Sequence, residues 1–184
     1  KVSKTRNINL ELFTIKFKLD PKELSLFLET KDPKINFKGL TIPVQNIKAY
    51  VDFLALIKSN LITKKINITL EEINISQLNK LSKIIKPSTF KSFLNNKIQE
   101  GKIISEVEIY LDNKGELKNF IAKGKIKNLK AELINNLNLS KTNFNFFADK
   151  EDILIKNIFG EIENIKISNG DMKLNFENEI TINS

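Results

Sequence analysis

The sequence predicts a mainly β (α+β) fold: a curved antiparallel sheet whose consecutive strands meander into an open groove, or β-taco, with two or three short helices in the first half. Two observations predict this class. Apolar and polar residues alternate along most of the 184-residue chain, and turn-forming residues separate the alternating runs. Short stretches of the first half have helical spacing instead.

The first half begins with alternating runs. Residues 8–19 and 24–30 alternate as strands do, with turn-forming residues at 20–21 between them. The same period of two recurs over 44–50 and 64–70. We therefore expect a strand over each of these four ranges.

Three short helices are expected around and after these strands. The first covers 53–58 behind a capping Asp52. The second is capped by Ser76, and the third opens at Pro87 and Ser88, has an apolar stripe that reaches Ile98 and stops at Gly101. We expect the last two helices to pack against the sheet as a cap.

The second half alternates without interruption. Residues 102–111 place apolar side chains on one face and carboxylates on the other, residues 112–115 have turn chemistry, and residues 117–126 run back to complete a hairpin. A further turn is expected at 169–170, between two of the later strands. The pattern predicts a meander of about six strands.

No linker divides the chain, so we predict one continuous body. Strands with capping helices would occupy residues 1–100, and the groove-forming meander residues 101–184. The chain begins with Lys1 rather than Met and ends in the strand-like run 179–182. We therefore expect it to be a piece of a longer repetitive protein.

The composition excludes several chemistries. The chain has no His and no Cys, which removes the usual general base at neutral pH, the commonest transition-metal ligand and disulfides. A formal net charge of +8 suits an anionic partner, but Arg6 is the single Arg, and base recognition favours Arg. We therefore predict a solvated lysine-rich surface, with no cofactor, no nucleic-acid partner and no enzyme activity.

Clusters of chemically capable residues have structural explanations. Asp149, Glu151 and Asp152, with Asp171 further along, have a ligand chemistry that suits Ca²⁺, but their spacing matches no calcium loop, and a turn is the preferred interpretation. The glycines form no phosphate-binding signature. We predict no metal site and no catalytic residue.

The Phe-rich run 144–147 is open to three interpretations. With Lys141 and Lys150 nearby it fits a nucleic-acid face, a packed core or the lining of an apolar groove. Core packing is the most frequent role of such residues. The long apolar face of the meander has only short helices to cover it. This favours the third interpretation, in which either a second sheet or acyl chains cover the face.

A pattern of apolar, polar, Asn, apolar and Lys recurs at 44–48, 126–130 and 162–166. Asn is a poor strand residue, and we interpret it as a polar strand position supplied by a biased composition. Period two places the Asn, the Lys and the first residue on one face and the fourth residue on the other, apolar face. These fourth residues are Ile47, Leu129 and Ile165.

Two stretches carry a family resemblance. The first resembles the strand, short helix and strand unit of the AsmA-like family, the AsmA/TamB/YhdP group, and consists of residues 44–58 with 64–68. The second resembles the serial strands of the same family and is the run NIFGEIENIKISNGDMKLNF at 157–176. The resemblance covers roughly residues 40–184. It implies a β-groove that binds or conducts phospholipid acyl chains between the inner and outer membranes and supports outer-membrane biogenesis. It also implies a periplasmic location, an inner-membrane anchor outside this chain and envelope proteins as further partners.

The residues expected to line this lipid groove are the apolar positions of the alternating runs. They are Ile47, Ile103, Val107, Ile109, Phe120, Ile126, Leu129, Phe144, Phe146, Ile165, Ile167, Met172, Leu174 and Phe176. The competing hypothesis is a non-enzymatic all-β structural or interaction module of the cell envelope, whose apolar faces pack on each other in a closed core.

Overall fold

The computed structural model shows a chain made mainly of antiparallel strands. It describes residues 2–4, 8–21, 25–52, 62–75, 77, 98–132, 137–175 and 180–183. The strands within these ranges are β1 (Val2–Lys4), β2 (Ile8–Glu11), β3 (Lys16–Asp20), β4 (Ser25–Lys31), β5 (Lys34–Phe37), β6 (Leu40–Val51), β7 (Thr63–Leu70), β8 (Ile73–Asn74), β9 (Ile98–Leu111), β10 (Leu117–Glu132), β11 (Asn138–Ala148), β12 (Asp152–Ile162), β13 (Ile165–Ile167), β14 (Asp171–Asn175) and β15 (Ile180–Asn183).

Consecutive segments of the chain lie side by side. The hydrogen-bonded order is β1-β2-β5-β6-β7-β9-β10-β11-β12-β14-β15, with β3, β4, β8 and β13 beside this path. β4 and β5 pair with successive parts of β6, β7 and β8 with successive parts of β9, and β13 and β14 with successive parts of β12. Each such pair is therefore one long strand with a single interruption. The predicted open antiparallel, mainly β sheet is confirmed.

The chain forms two compact units. The first comprises Lys1–Glu71 with Glu106–Ile121, and the second comprises Glu72–Ser105 with Ala122–Ser184. β9 and β10 contribute residues to both units.

None of the predicted helices is seen as an element of the described residues, where Ile75 and Gln77, on either side of the predicted cap Ser76, are helical. The helix over 53–58, the cap Ser76 and residues 78–97 of the other two helices lie outside those residues. The predicted end of the third helix is wrong, because Ile98 begins β9 and Gly101 lies inside it. Gly101 has a φ of 148°, and a Cβ there would lie 3.1 Å from Ile75 Cγ1, so this glycine permits close packing in a strand and does not end a helix.

The turn predicted at 169–170 is also wrong. The chain reverses after β12 at Glu163 and Asn164, whose φ angles of 45° and 71° are both positive, as a two-residue type I′ hairpin requires. Residues 168–170 instead interrupt the long strand formed by β13 and β14. There the Ile158 N–H donates to the Gly170 carbonyl at 2.8 Å, so the hydrogen bonding continues across the interruption.

Three neighbouring strands of the second unit have bulges close to one another. Asn128 in β10, Lys141 in β11 and Asn157 in β12 have positive φ angles of 50°, 49° and 54°. The pairing register shifts beside each of them. A bulge adds one residue and bends its strand, so adjacent bulges bend the sheet of this unit along a line.

Asn and Asp side chains complete the hydrogen bonding of these bulges. The Asn128 N–H donates to Asn143 Oδ1 at 3.1 Å, and Asn143 Nδ2 donates to the Lys141 carbonyl at 3.0 Å. The Asn157 N–H donates to Asp171 Oδ1 at 3.0 Å. Asn also adopts positive φ more readily than branched residues do. These asparagines therefore have a backbone role, which composition alone did not reveal.

The first unit has a comparable line of interruptions. Asp32, with a φ of 48°, lies between β4 and β5, and the register of β6 against β7 shifts beside Gln45. The Asp32 N–H donates to the Gln45 carbonyl at 2.8 Å, and the Glu71 N–H donates to the Pro43 carbonyl at 3.1 Å. Backbone groups at each interruption thus form hydrogen bonds with the neighbouring strand.

The recurring pentapeptide marks these shifts. At 44–48 and 126–130 it contains a bulge, and at 162–166 it contains the type I′ turn. Its first and fourth residues therefore share one face, and the prediction of opposite faces is wrong, because the added residue or the reversal offsets period two. The pairs are Val44 with Ile47, Ile126 with Leu129, and Ile162 with Ile165.

We expect Gly160→Ala to destabilise the protein. A Cβ at residue 160 would lie 2.1 Å from Thr142 Oγ1 and 2.9 Å from Thr142 Cα, and Thr142 is fully buried, so the backbone of β11 or β12 must shift. Urea unfolding should show a loss of about 1–3 kcal/mol in the free energy of unfolding.

Gly170→Ala is the matched control for this contact. Its Cβ would lie 3.7 Å from Ile158 Cβ, an ordinary van der Waals distance. The change in stability should stay within about 0.5 kcal/mol. An equal loss in the two variants would contradict the role assigned to the close approach of residue 160 to Thr142.

Candidate functional site

The first unit has an apolar face built from aligned residues of neighbouring strands. Phe17 of β3 opposes Leu28 of β4, which opposes Ala49 of β6, and the row continues through Ile66 of β7 to Ile109 of β9. Directly opposed residues point to the same side of a sheet, so these side chains share one face. A second row on this face consists of Thr30, Ile47, Ile68 and Val107.

Part of this apolar face is accessible, while Thr30, Val44 and Val51 on the same face are buried. Phe17 is 58% exposed and Leu19 is 64% exposed, while Leu28, Ile66 and Ile109 are half-buried. Hydrophobic residues make up 41% of the chain, yet among the described residues only ten apolar side chains are buried. An accessible apolar face of this kind commonly marks a site of contact with a ligand or partner.

The opposite face of the same strands is polar and paired within itself. Glu29, which is buried, forms an ion pair with Lys18 and accepts a hydrogen bond from Asn46 Nδ2 at 3.0 Å. Asn67 Nδ2 donates to Glu106 Oε1 on the neighbouring strand. The Asn of the first pentapeptide therefore fixes a carboxylate on the polar face.

Lysine side chains cover the aromatic residues of this polar face. Lys48 Nζ lies 5.5 Å from the ring centroid of Phe27, and Lys65 Nζ lies 4.2 Å from that of Tyr50. Phe27 and Tyr50 are buried, and their ring centroids are 5.2 Å apart. These two aromatic rings of the polar face are thus enclosed, whereas Phe17 and Leu19 on the apolar face are exposed.

The second unit combines an apolar row with a small buried cluster. Gly124, Phe146, Ile155 and Met172 oppose one another across β10, β11, β12 and β14. The cluster forms where the bulges keep apolar residues on this face. It consists of buried Leu129, Ala131 and Leu139, with partly buried Ile98, Ile126, Phe144, Ile162 and Ile167 packed against it.

The predicted lining residues divide between the two units. In the first unit, Ile47, Val107 and Ile109 share the apolar face, and Phe120 is half-buried in β10. In the second unit, those in the apolar row or the cluster are Ile126, Leu129, Phe144, Phe146, Ile167 and Met172. Contact of these side chains with lipid stays a prediction.

Four predicted positions lie outside the row and the cluster described above. Ile103 opposes Ile73, which is buried. Ile165 is 71% exposed beside the type I′ turn. Leu174 opposes Ile153 in the β12–β14 ladder, and Phe176 lies outside the described residues.

Part of the apolar face of the first unit was not predicted from the sequence. The alternation over 24–30 and 64–70 predicts strands correctly, but alternation alone does not say which positions of two strands oppose each other. The signal that could have identified them is which residues of each alternating run are apolar, combined with the register in which the hairpins pair. The missed residues are Leu26, Leu28, Ala49, Ile66 and Ile68.

The acidic residues near 149 form a turn. Asp149 Oδ1 accepts the N–H groups of Glu151 at 2.8 Å and Asp152 at 3.1 Å, and these bonds hold the pKa of Asp149 below its usual value. Asp152 Oδ2 lies 2.6 Å from Lys173 Nζ, and this partner raises the lysine pKa. The carboxylates are therefore engaged in turn formation and cross-strand pairing.

We expect Glu29→Gln to reduce the acid sensitivity of the fold. The hydrogen bond from Lys18, with a second one from Asn46, lowers the pKa of Glu29. A carboxylate with a lowered folded-state pKa stabilises the protein above its unfolded-state pKa, and this contribution is lost as the pH falls through the folded-state pKa. Between about pH 7 and pH 3, urea unfolding should show a smaller loss of stability in the variant than in the wild type.

Glu116→Gln is the control for this pH dependence, since Glu116 is exposed in the turn between β9 and β10. It should retain the pH profile of the wild type. Parallel profiles for Glu29→Gln and the wild type would contradict the assigned role of the buried carboxylate.

Among the described residues, no helix is long and apolar enough to span a bilayer. Comparison with protein-family models, curated proteins and solved structures gives no match for this chain. The chemistry of the two sheet faces is therefore the basis for the function proposed below.

Proposed function

We propose that this chain binds phospholipid acyl chains on its apolar sheet face, as a segment of an AsmA-like envelope protein that conducts lipid between inner and outer membranes. The observation that carries the proposal is the row from Phe17 to Ile109, which crosses five strands of the first unit and in which Phe17 is exposed and the other four residues are half-buried. The opposite face of those strands is polar and paired within itself.

The dimensions of the row suit an extended hydrocarbon. Neighbouring strands are about 4.8 Å apart, so four intervals between Phe17 and Ile109 span about 19 Å. An acyl chain that lies along the row contacts one side chain per strand. Each methylene removed from water contributes about 0.8 kcal/mol, so even a partly covered acyl chain is held by several kcal/mol.

The chemistry of the face matches a carrier rather than a catalyst. Its rows contain aliphatic and aromatic side chains with a single hydroxyl, that of Thr30, and such a surface distinguishes acyl chains from polar solutes without selecting one headgroup.

The proposal includes a periplasmic location, an inner-membrane anchor outside this chain and a role in outer-membrane biogenesis. These parts are supported by the family resemblance of the strand pattern alone.

A structural or interaction module of the envelope is the second candidate. The observation that favours it is the buried cluster of Leu129, Ala131 and Leu139, where the second unit closes apolar surface with its own side chains. This candidate predicts that apolar faces pack against protein and carry no lipid.

The test is lipid retention by a variant with a charge in the row. Ile109→Glu places a carboxylate on the apolar face opposite Ile66. Native mass spectrometry of the wild-type chain should show co-purified phospholipid, and the variant should lose it. Titration with a fluorescent phospholipid analogue should show at least about tenfold weaker binding, because an unpaired carboxylate opposes burial against hydrocarbon.

Gln45→Glu is the matched control, since it adds the same charge to an exposed position of β6. It should bind the analogue as the wild type does. Circular dichroism and urea unfolding establish that both variants are folded. A wild-type chain that carries no lipid and does not bind the analogue would support the structural module instead.

A further inference from the structure

The polar face of the second unit contains a shallow depression lined by lysines. Its lining residues are Lys123, Gly124, Lys125, Asn145, Phe147, Lys156 and Asn157, and we call it the lysine depression. The strand register explains the grouping. Lys125 of β10 opposes Asn145 of β11, which opposes Lys156 of β12, while Lys123 opposes Phe147 in the next row.

The electrostatics of the lysine depression favour an anion. Three of its seven described lining residues are lysines, and none is acidic. Lys156 Nζ lies 3.9 Å from Asp171 Oδ2, and Oδ1 of the same carboxylate already accepts the Asn157 N–H. Lysines thus outnumber carboxylates around the depression, and a positively charged concave surface attracts anions.

The polar groups around the lysines suit a phosphate. A lysine ammonium binds phosphate as a point charge, without the planar geometry that arginine imposes. The side-chain amides of Asn145 and Asn157 supply further hydrogen-bond donors in the same depression. A phosphate oxygen therefore meets positive charge and neutral donors from three strands.

Exposed aromatic rings beside the lysines point to a membrane surface. Phe147 is 46% exposed within the depression, and Phe159, which is 48% exposed, opposes Asn143 on the same polar face. Basic residues next to exposed apolar side chains are typical of surfaces that bind anionic bilayers, where the charges meet headgroups and the rings enter the interface.

We propose that the lysine depression binds the headgroup phosphate of anionic phospholipid at a bilayer surface. The proposal does not depend on acyl-chain binding by the first unit. Within the second unit, Phe144 and Phe146 alternate with Asn145 and Phe147 and so occupy the opposite face of β11. The lysine depression therefore lies on the face opposite these apolar rings, where it would contact the headgroup of a lipid.

The test is vesicle co-sedimentation of the full 184-residue chain. Vesicles of phosphatidylcholine alone are compared with vesicles of phosphatidylcholine mixed with phosphatidylglycerol, at low and at physiological salt. The wild type should bind the anionic vesicles and not the neutral ones, and added salt should weaken the binding. The double variant Lys123→Gln/Lys125→Gln should bind roughly thirtyfold more weakly, the effect of removing two lysines from an anionic surface.

The matched control is Lys31→Gln/Lys114→Gln, which removes the same charge from exposed positions outside the second unit. It should retain most of the binding, and urea unfolding establishes that both double variants are folded. Equal losses in the two double variants, or equal binding to neutral vesicles, would overturn the proposal. Displacement by millimolar inorganic phosphate would assign the depression to free phosphate, and tighter binding of a single-stranded oligonucleotide would assign it to nucleic acid; either result also overturns it.

Discussion

The constraint on which this structure depends is the continuity of one apolar face across interrupted strands. A single inserted residue moves every later side chain of its strand to the other face, so an isolated bulge would mix apolar and polar residues. Here the bulges at Asn128, Lys141 and Asn157 lie on adjacent strands. Apolar residues three apart compensate two of them, Ile126 with Leu129 and Ile155 with Ile158, and at the third Leu139 shares its face with the buried Thr142. Bending of the sheet and separation of its faces are thereby compatible.

The two faces of the first unit differ in how far their side chains pair with one another. On the polar face of the first unit, Lys18, Glu29 and Asn46 pair with one another, and lysines cover Phe27 and Tyr50. The apolar face has no equivalent pairing of its own, since aliphatic groups gain stability only by leaving water. The asymmetry is what makes the apolar face the stronger candidate for acyl chains.

Sequence predicted the strand class well, because period two survives over most of each strand, as in β9 and β10. It failed where backbone geometry breaks that period. Ile126 and Leu129 share a face only because Asn128 takes a positive φ, and Glu163 with Asn164 form a turn inside a run that alternates like a strand. The candidate face was predicted in part for the same reason: alternation identifies Ile47 and Ile109, but Leu28 and Ile66 join them only through register.

The order of the strands has a consequence for how the chain folds. Nearly every strand pairs with one that is close to it in sequence, and interrupted strands such as β4 and β5 share the neighbour β6. Local pairing requires only short loops to close, which lowers the entropic barrier that usually makes all-β proteins slow to fold. Such a chain can add one strand after another as it leaves the ribosome or a membrane channel, and it needs no distant segment to arrive before the first strands pair.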